Sequence, residues 1–210
     1  YNDVHIKADL GSIEEMAPGD SDDSFEGAAA GGLDITADHA VLEADGSIGG
    51  IRPLETKLNS LKAVSASQGD IDLNEHDAIT LTDVDTNDGS ITLDAGGSIT
   101  ALNVESKTDH DDNDIRLHNT SGDILVDRID AGSAQGDVFL DADQGKVEEH
   151  ASGDTGVDIT SDNAQINAHA SIGGEQDLET ELNTLEAHAG TTGDIDICLL
   201  YTSDAADEPM

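Results

Sequence analysis

The sequence predicts an all-β fold in which parallel strands stack as a β-solenoid, and two kinds of repetition predict it. The first is a long internal repeat: residues 32–73 recur at 156–197 without a gap, at an offset of 124, and 22 of the 42 aligned pairs are identical. The residues kept are mainly Gly, Asp, Ile and Leu, so the repeat preserves turns and burial. In a stack of equivalent coils one segment reappears with the same pattern, whereas the strands of a β-sandwich occupy different environments. The repeat therefore favours the solenoid over the sandwich.

The second repetition is a short motif in which Gly or Asn precedes a small or acidic residue and an apolar-x-apolar run. It occurs as GDIDL from Gly69, GSITL from Gly89, GSITA from Gly97, NDIRL from Asn113, GDILV from Gly122, GDVFL from Gly136 and GDIDI from Gly193. Each occurrence is predicted to be a turn followed by a short strand, with alternate apolar residues facing inward. Steps of 20 residues, from 69 to 89 and from 136 to 156, predict rungs of roughly 20 residues.

These strands and turns define the predicted core and corners. We expect glycine at the corners because it adopts backbone angles that other residues avoid. The residues predicted to face inward are Ile35, Ile48, Ile71, Leu73, Ile91, Leu93, Ile99, Ile115, Leu117, Ile124, Val138, Leu140, Ile159, Ile172 and Ile195, and the corner glycines are Gly69, Gly89, Gly122, Gly136 and Gly193.

The composition limits what the chain can bind. It has 47 Asp and Glu against 8 Lys and Arg, a formal net charge of −39, and aromatic residues make up 2%. Such a charge repels nucleic acid and anionic membrane surfaces, so we expect no nucleic-acid binding and no membrane insertion by this segment.

High charge with few bulky apolar residues is also typical of disordered acidic tails. The periodic spacing of Ile and Leu favours the solenoid instead, because a narrow core shared between coils needs few aromatic side chains.

One segment departs from the alternating pattern. Leucines at 54, 58 and 61 fall at i, i+4 and i+7, directly after a proline that is well placed to begin a helix. The second copy keeps leucine at 178, 182 and 185. Two interpretations stay open, a short helix and two rung strands joined by a corner, and in both the leucines belong to the core.

The two ends of the chain carry their own expectations. Residues 198–210 depart from the repeat directly after Ile197, and the run CLLYTSDAADE resembles a translated transposase sequencing adapter residue for residue. We therefore expect a solenoid repeat region at 1–197 and a non-native, adapter-derived tail at 198–210, as in a fragment assembled from metagenomic sequence. Without the tail the chain has no cysteine, which excludes disulfides and thiolate sites. Because the chain begins at Tyr1, we also expect it to be internal to a longer protein.

The repeat resembles that of a known family. The segment GSIGGIRPLETKLNSLKAVSASQGDIDLNEHDAITL and its second form ASIGGEQDLETELNTLEAHAGTTGDIDI look like the SIG…PL…L.A…G.I.L repeat of giant bacterial surface proteins with β-strand repeats, which are similar to filamentous-haemagglutinin-type adhesins. The resemblance covers residues 9–197. It implies a right-handed parallel β-helix that is exported through the outer membrane and displayed at the bacterial cell surface or released. The sequence departs from the family in its acidity and in having Asp177 where the first copy has Pro53.

Calcium is the ligand that such an acidic chain suggests. Asp83, Asp85, Asn87 and Asp88, followed by Gly89, place oxygen ligands on alternate positions, although the glycine comes one residue later than in an EF-hand loop. These four residues are our candidate calcium ligands, and solvated acidic loops are the alternative. Two further acidic clusters are Asp109, Asp111, Asn113 and Asp114, and Asp20, Asp22 and Asp23. Apart from calcium no cofactor is predicted, because the eight histidines are scattered and no phosphate-binding loop occurs.

The predicted function is structural. Carboxylate pairs are so numerous that any one of them is expected by chance, and outside the tail the aromatic side chains that would stack on sugars are Tyr1, Phe25 and Phe139. We therefore expect no enzymatic activity. We expect a structural or adhesive stalk segment of a large exported bacterial surface protein, with flanking solenoid repeats of the same longer chain and a surface glycan or protein as partners. A calcium-dependent binding module is the main alternative, and a polysaccharide-degrading β-helix enzyme is a further one.

Overall fold

The computed structural model describes residues 2–15, 32–150, 156–174 and 177–200, and every helix or strand in these ranges is a β-strand. The strands are β1 (Asp3–Ala8), β2 (Ile35–Ala44), β3 (Leu54–Ser65), β4 (Ile71–Glu75), β5 (Ile79–Thr86), β6 (Ile91–Ala95), β7 (Ile99–Ala101), β8 (Val104–Ser106), β9 (Ile115–Asn119), β10 (Ile124–Val126), β11 (Ile129–Asp130), β12 (Val138–Ala142), β13 (Val147–Glu149), β14 (Ile159–Ala168), β15 (Leu178–Ala189) and β16 (Ile197–Leu199).

The strands pair in parallel and form ladders that run along the molecule. One ladder joins β4, β6, β9, β12 and β14; a second joins β5, β7, β10 and β13; a third joins β5, β8, β11 and β14. The result is a β-solenoid of about 8 turns with a spacing of about 21 residues, which confirms the predicted fold class. At about 4.8 Å per coil, eight steps give a rod about 38 Å long.

The core is a set of apolar columns in which like residues stack on one another. Ile71 pairs in register with Ile91, and Ile91 pairs with Ile115. Fourteen of the fifteen residues predicted to face inward are buried. The exception is Ile195, which bridges to Ile172 but is 50% exposed because it lies on the last described coil, where no further coil of the described residues covers it.

The corner glycines are explained by close packing more than by backbone angle. Of the five predicted corners, Gly122 has a positive φ, of 82°, and the other four do not. At those four the predicted reason was wrong. A Cβ at Gly89 would lie 2.2 Å from the carbonyl oxygen of Gly69, and one at Gly136 would lie 1.9 Å from that of Ala131. A side chain is excluded there because backbone from a neighbouring part of the stack occupies its place.

The leucine-rich segment after Pro53 is a strand, so the helical interpretation is wrong. All of it lies in β3, where Leu54, Leu58 and Leu61 are buried. The inward alternation is interrupted once, because neither Asn59 nor Ser60 is buried. Two alternating runs with two outward residues between them give the i, i+4, i+7 spacing that also suits a helix. The segment is therefore one continuous strand and not two strands.

The ends of the chain are only partly described. Cys198 and Leu199, the first residues of the adapter-like tail, belong to β16, which pairs with β15. Residues 201–210 lie outside the described residues, as does the acidic cluster of Asp20, Asp22 and Asp23. The assignment of the tail as non-native stays a prediction.

Candidate functional site

The four predicted calcium ligands lie at the end of β5 and in the turn after it. Asp83 accepts hydrogen bonds from the Lys62 ammonium and from the Asn103 side-chain amide, the latter at 2.9 Å. Asp85 accepts from the Lys107 ammonium at 2.9 Å. These nitrogen donors come from the neighbouring coils, so the two carboxylates already connect β5 to the strands above and below it. The hydrogen bond from Lys62 lowers the pKa of Asp83 from its usual value.

The other two candidate ligands, Asn87 and Asp88, are also hydrogen-bonded to neighbouring coils. Asp88 accepts from the side-chain amides of Gln68 at 2.8 Å and Asn113 at 2.9 Å, and the bond from Asn113 lowers its pKa. The amide of Asn87 donates to the carbonyl oxygen of Ser67 at 3.3 Å. A calcium ion at this turn would compete with nitrogen donors for the bonded oxygens of the three carboxylates, whereas Oδ1 of Asp85 is buried without a hydrogen-bond partner among the described residues. Calcium binding by these four residues stays a prediction.

Asp109, which the sequence groups with Asp111, Asn113 and Asp114, binds the backbone of a turn in the next coil. Its carboxylate accepts three backbone N–H groups of the next coil, from Ala134 at 3.0 Å, Gln135 at 2.8 Å and Gly136 at 3.2 Å. The oxygens thereby satisfy amides that have no partner within a strand ladder. The role of Asp109 is to hold the corner between two coils.

Most of the few lysines and arginines form ion pairs with acidic residues. Arg128 donates to Asn103 at 2.8 Å, to Glu105 at 3.1 Å and to Asp130 at 2.7 Å, so one guanidinium offsets two carboxylates. Where acidic residues lie close together without such a cation, ionisation of a carboxyl group is less favourable and its pKa is raised. Burial, followed by the nearby charges of Asp94 and Asp70, raises the pKa of Asp72 to about 6.

Two groups of three carboxylates stand apart from these paired acids. The first carboxylate cluster consists of Glu15, Asp34 and Glu55, and the second consists of Glu149, Asp158 and Glu179. In each cluster one oxygen from every residue lies within 4.8 Å of the others. Among the described residues, these are the two groups of at least three His, Cys, Asp or Glu whose atoms converge in this way.

The same backbone geometry builds both clusters. In the second, the N–H of Asp158 donates to the carbonyl oxygen of Glu179 at 2.8 Å, and the N–H of Glu179 donates to Asp158 Oδ2 at 2.8 Å. In the first, Asp34 and Glu55 make the same two bonds, at 2.8 and 3.0 Å. Asp158 and Glu179 are the residues 124 positions after Asp34 and Glu55, so this pairing is part of the superrepeat.

The third member of each cluster reaches it from the preceding strand segment. Glu15 lies two residues after Ile13, which bridges to Ile48, and Glu149 lies two residues after Val147, which bridges to Ile172. The two glutamates are 134 residues apart, because the stretch between Glu15 and Asp34 is ten residues longer than its counterpart. The clusters are therefore equivalent in structure although the chain between their members differs in length.

The second cluster is the more buried of the two. Asp158 is 0% exposed, and its Oδ1 has no hydrogen-bond partner among the described residues. Glu179 Oε2 is likewise buried without a partner in the described part of the chain. Burial, opposed by the backbone hydrogen bond from Glu179 and assisted by the charges of Glu179 and Glu149, raises the pKa of Asp158 to about 8.

The first cluster has a cation beside it. Nη1 of Arg52 lies 3.9 Å from Glu15 Oε2, and Asp34 is exposed. In the second copy the residue equivalent to Arg52 is Gln176, which carries no charge and lies outside the described residues. The same acids thus occur once with an arginine and once without it.

Sequence reasoning missed both clusters, although two signals pointed to them. Asp34 and Glu55 are each identical in the second copy. The pentapeptides GSIEE, from Gly11, and GKVEE, from Gly145, also match, but at an offset of 134 that a gapless alignment at 124 does not include. Spacing along the chain could not show that the glutamates and aspartates converge, because they meet only after the coils stack.

The outer surface of the last coils has a shallow concavity. It has a volume of about 320 Å³ and is lined by Phe139 of β12, Asn163 and Gln165 of β14 and Glu186 of β15, among others. Phe139 is the one aromatic side chain of residues 32–150. The concavity is therefore the described surface that combines an aromatic ring with amide and carboxylate groups.

Comparison with known proteins adds no relative. No protein-family model, curated protein or solved structure matches the chain. In the described residues no helix is long and apolar enough to cross a membrane.

Proposed function

We propose that the chain is a structural and adhesive stalk segment of a large exported bacterial surface protein, located outside the cell. The observation that carries the proposal is the uninterrupted parallel ladder. Its backbone groups bond from coil to coil, and its apolar columns continue through every described turn. In such a stack length scales with the number of coils, so the fold holds what is attached to its ends at a set distance.

The charge distribution supports an exposed, extended role. Acidic side chains occupy many of the outward positions, and most of the few lysines and arginines form ion pairs with them, as Arg128 does. A high net negative charge keeps an elongated surface soluble and prevents side-by-side association. The half-exposed Ile195 supports flanking solenoid repeats as partners, because one more coil of the same kind would cover it.

Length scaling can be tested by adding one unit. Inserting a second copy of residues 32–155 between 155 and 156 adds 124 residues in the phase of the natural repeat, which is about six coils. We expect small-angle X-ray scattering to show a rod about 28 Å longer with an unchanged cross-section. A particle that grows in all directions, or that loses its rod form, would refute the stalk mechanism.

Adhesion can be tested separately on the concavity around Phe139. Beads coated with the chain are expected to adhere to some members of a panel of immobilised glycans and matrix proteins. The variant Phe139→Ala should reduce adhesion, whereas Asp141→Asn, an outward change in the same strand, should not. Equal adhesion by beads that carry an unrelated acidic protein would show that the segment is a stalk without adhesive activity.

A calcium-dependent binding module is the second candidate, and the two carboxylate clusters favour it. If it is correct, the bead adhesion above is lost when calcium is removed by a chelator and returns when calcium is restored. If the chain is a plain stalk, adhesion is independent of calcium. We propose no enzymatic activity, because a polysaccharide-degrading site would need placed cations and aromatic rings for which this chain has few residues.

A further inference from the structure

We propose that an outward column of side chains, Arg116, Phe139, Gln165 and Glu186, binds a glycan that carries a single carboxylate, as a chain ending in a uronic or sialic acid does. The inference rests on the proposed adhesive function and names the class of ligand that the concavity around Phe139 would take.

The four residues of the column lie in register on consecutive coils. Arg116 of β9 pairs with Phe139 of β12, Phe139 pairs with Gln165 of β14, and Gln165 pairs with Glu186 of β15. The strand neighbour Leu117 is buried, so the alternation of side chains directs the column outward. Three steps of about 4.8 Å make the column about 14 Å long, which is the length of a short oligosaccharide lying along the rod.

The first argument is the charge of Arg116. The chain has eight lysines and arginines, and Arg116 is exposed and forms no ion pair with a described residue. Its partners in register, Thr92 and Phe139, carry no charge. Each of the other seven forms an ion pair with a carboxylate: Lys7, Arg52, Lys57, Lys62, Lys107, Arg128 and Lys146. A planar guanidinium binds a carboxylate through two parallel hydrogen bonds, so Arg116 is the group that would select an acidic sugar.

The second argument is the set of groups next to Arg116. The ring of Phe139 offers an apolar surface on which the C–H face of a sugar can pack. The amide of Gln165 and the carboxylate of Glu186 line the concavity beside this ring, and neither forms a hydrogen bond with another described residue. An amide both donates and accepts, and a carboxylate accepts, so the two groups can bind the hydroxyls of a neutral sugar that follows the acidic one.

The third argument excludes other ligands of the same charge. Asp137 and Asp141 lie two residues before and after Phe139, and the chain has a net charge of −39, so a polyanion such as nucleic acid is repelled. At the column, β12 and β14 are each paired on both sides, so this face offers no free backbone groups to a peptide strand. A mostly neutral glycan with one carboxylate meets both conditions.

The test measures binding in solution to the full chain. Oligosaccharides ending in glucuronic, galacturonic or N-acetylneuraminic acid are each compared, by NMR titration, with the same compound after its carboxyl group has been reduced to an alcohol. At least one acid should bind about 10-fold more tightly than its reduced form, as expected for one charge-assisted hydrogen-bonded pair.

Three variants identify the residues responsible. Arg116→Gln should weaken binding of the acid about 10-fold and remove the preference over the reduced form. Phe139→Ala should weaken both forms about 5-fold and keep the preference. The matched control Lys57→Gln makes the same charge change at a cation that is paired with Asp77, and it should leave both affinities unchanged.

Several results would overturn the proposal. These are equal binding of acid and reduced form by the wild type, absence of binding by every acid at millimolar concentration, and a preference for the acid that persists in Arg116→Gln. Equal losses in Arg116→Gln and Lys57→Gln would indicate an effect of net charge and would also overturn it. If Arg116→Gln does not fold, Arg116→Lys takes its place, since it keeps the charge without the planar fork and should reduce the preference.

Failure of this proposal differs from failure of the adhesive function. Beads that adhere to matrix proteins, together with a chain that binds no acidic oligosaccharide, would refute the column and leave adhesion in place. Beads that adhere to no surface, together with the expected oligosaccharide binding, would refute adhesion and leave the column.

Discussion

The two copies of the superrepeat form the same local hydrogen bonds but bury their side chains to different extents. Gly49 and Gly173 have φ values of 77° and 68° at equivalent turns. The side-chain amide of Asn59 donates to Asp38 at 3.0 Å, and that of Asn183 donates to Asp162 at 2.8 Å. Turns and corner bonds are thus reproduced wherever the segment occurs.

Burial is not reproduced, because it depends on the neighbouring coils. Ile71 is 1% exposed between two coils, whereas its equivalent Ile195 is 50% exposed on the last one. Leu61 is fully buried and its equivalent Leu185 is half-buried. The comparison teaches that the sequence of a rung specifies its turns and local hydrogen bonds. The coils that pack on either side determine how far each apolar side chain is buried, and therefore how much it contributes to stability.

The largest expected difference between the copies lies in their leucines. Leu61→Ala removes a side chain that is enclosed on all sides and should lower the free energy of unfolding by about 3 kcal/mol. Leu185→Ala should cost about 1 kcal/mol, since this residue is already partly in water. Chemical denaturation of the two variants measures both values. Equal losses would show that the last coils are covered in solution.

The next expected effect is a pH dependence that arises near the first copy. Glu75 is buried, and this burial raises its pKa to about 7 even though the Thr56 hydroxyl and backbone N–H groups donate to it. Because the folded-state pKa lies above the unfolded value of about 4.3, the stabilisation from the protonated carboxyl is complete below pH 4 and is lost as the pH rises through 7. We expect the free energy of unfolding to fall by about 3 kcal/mol between pH 4.5 and 8.

The variant Glu75→Gln isolates this contribution. A neutral amide does not titrate, so the fall between pH 4.5 and 8 should be smaller by most of that amount, as measured by denaturation at several pH values. Asp141→Asn is the control for the general decrease in negative charge at low pH. A slope that is the same in Glu75→Gln and in the wild type would mean that Glu75 is ionised throughout.

The smallest expected effect should be similar in the two copies and slightly larger in the second. Asn59→Ala removes one exposed amide–carboxylate bond, and this should cost about 0.5–1 kcal/mol. Asn183→Ala removes the equivalent bond and a second bond at 3.1 Å to the carbonyl oxygen of Ser133, so its cost should be at or just above the upper end of that range. Urea denaturation compares the two values. Costs that differ by more than about 1 kcal/mol would contradict the view that local bonds contribute independently of position in the stack.

Most of the fold was predictable because its signals are local. The apolar alternation around Ile91 and Ile115 identified strands, and the superrepeat identified stacking. The leucines of β3 were ambiguous, since a strand whose inward alternation is interrupted once and a helix share the same spacing. The role of Gly89 was misjudged because the carbonyl that excludes its Cβ lies twenty residues away in sequence and becomes adjacent only in the stack.

The candidate site was less predictable for the same reason. The acidic turn after Asp83 is visible as a motif, but the ammonium and amide groups that engage it come from other coils. The carboxylate clusters combine residues from three segments that no short motif contains. Burial of Asp158, which makes its cluster unusual among 47 acidic residues, is a property of the assembled coils.

The direction of the ladder hydrogen bonds has a mechanical consequence. In this fold they run along the long axis, so tension applied to the two ends loads them one after another instead of all at once. We expect the rod to lengthen under force by releasing single coils, each of about 21 residues. Every released coil adds about 70 Å of extended chain, so a short rod can undergo a large extension while the remaining coils stay folded.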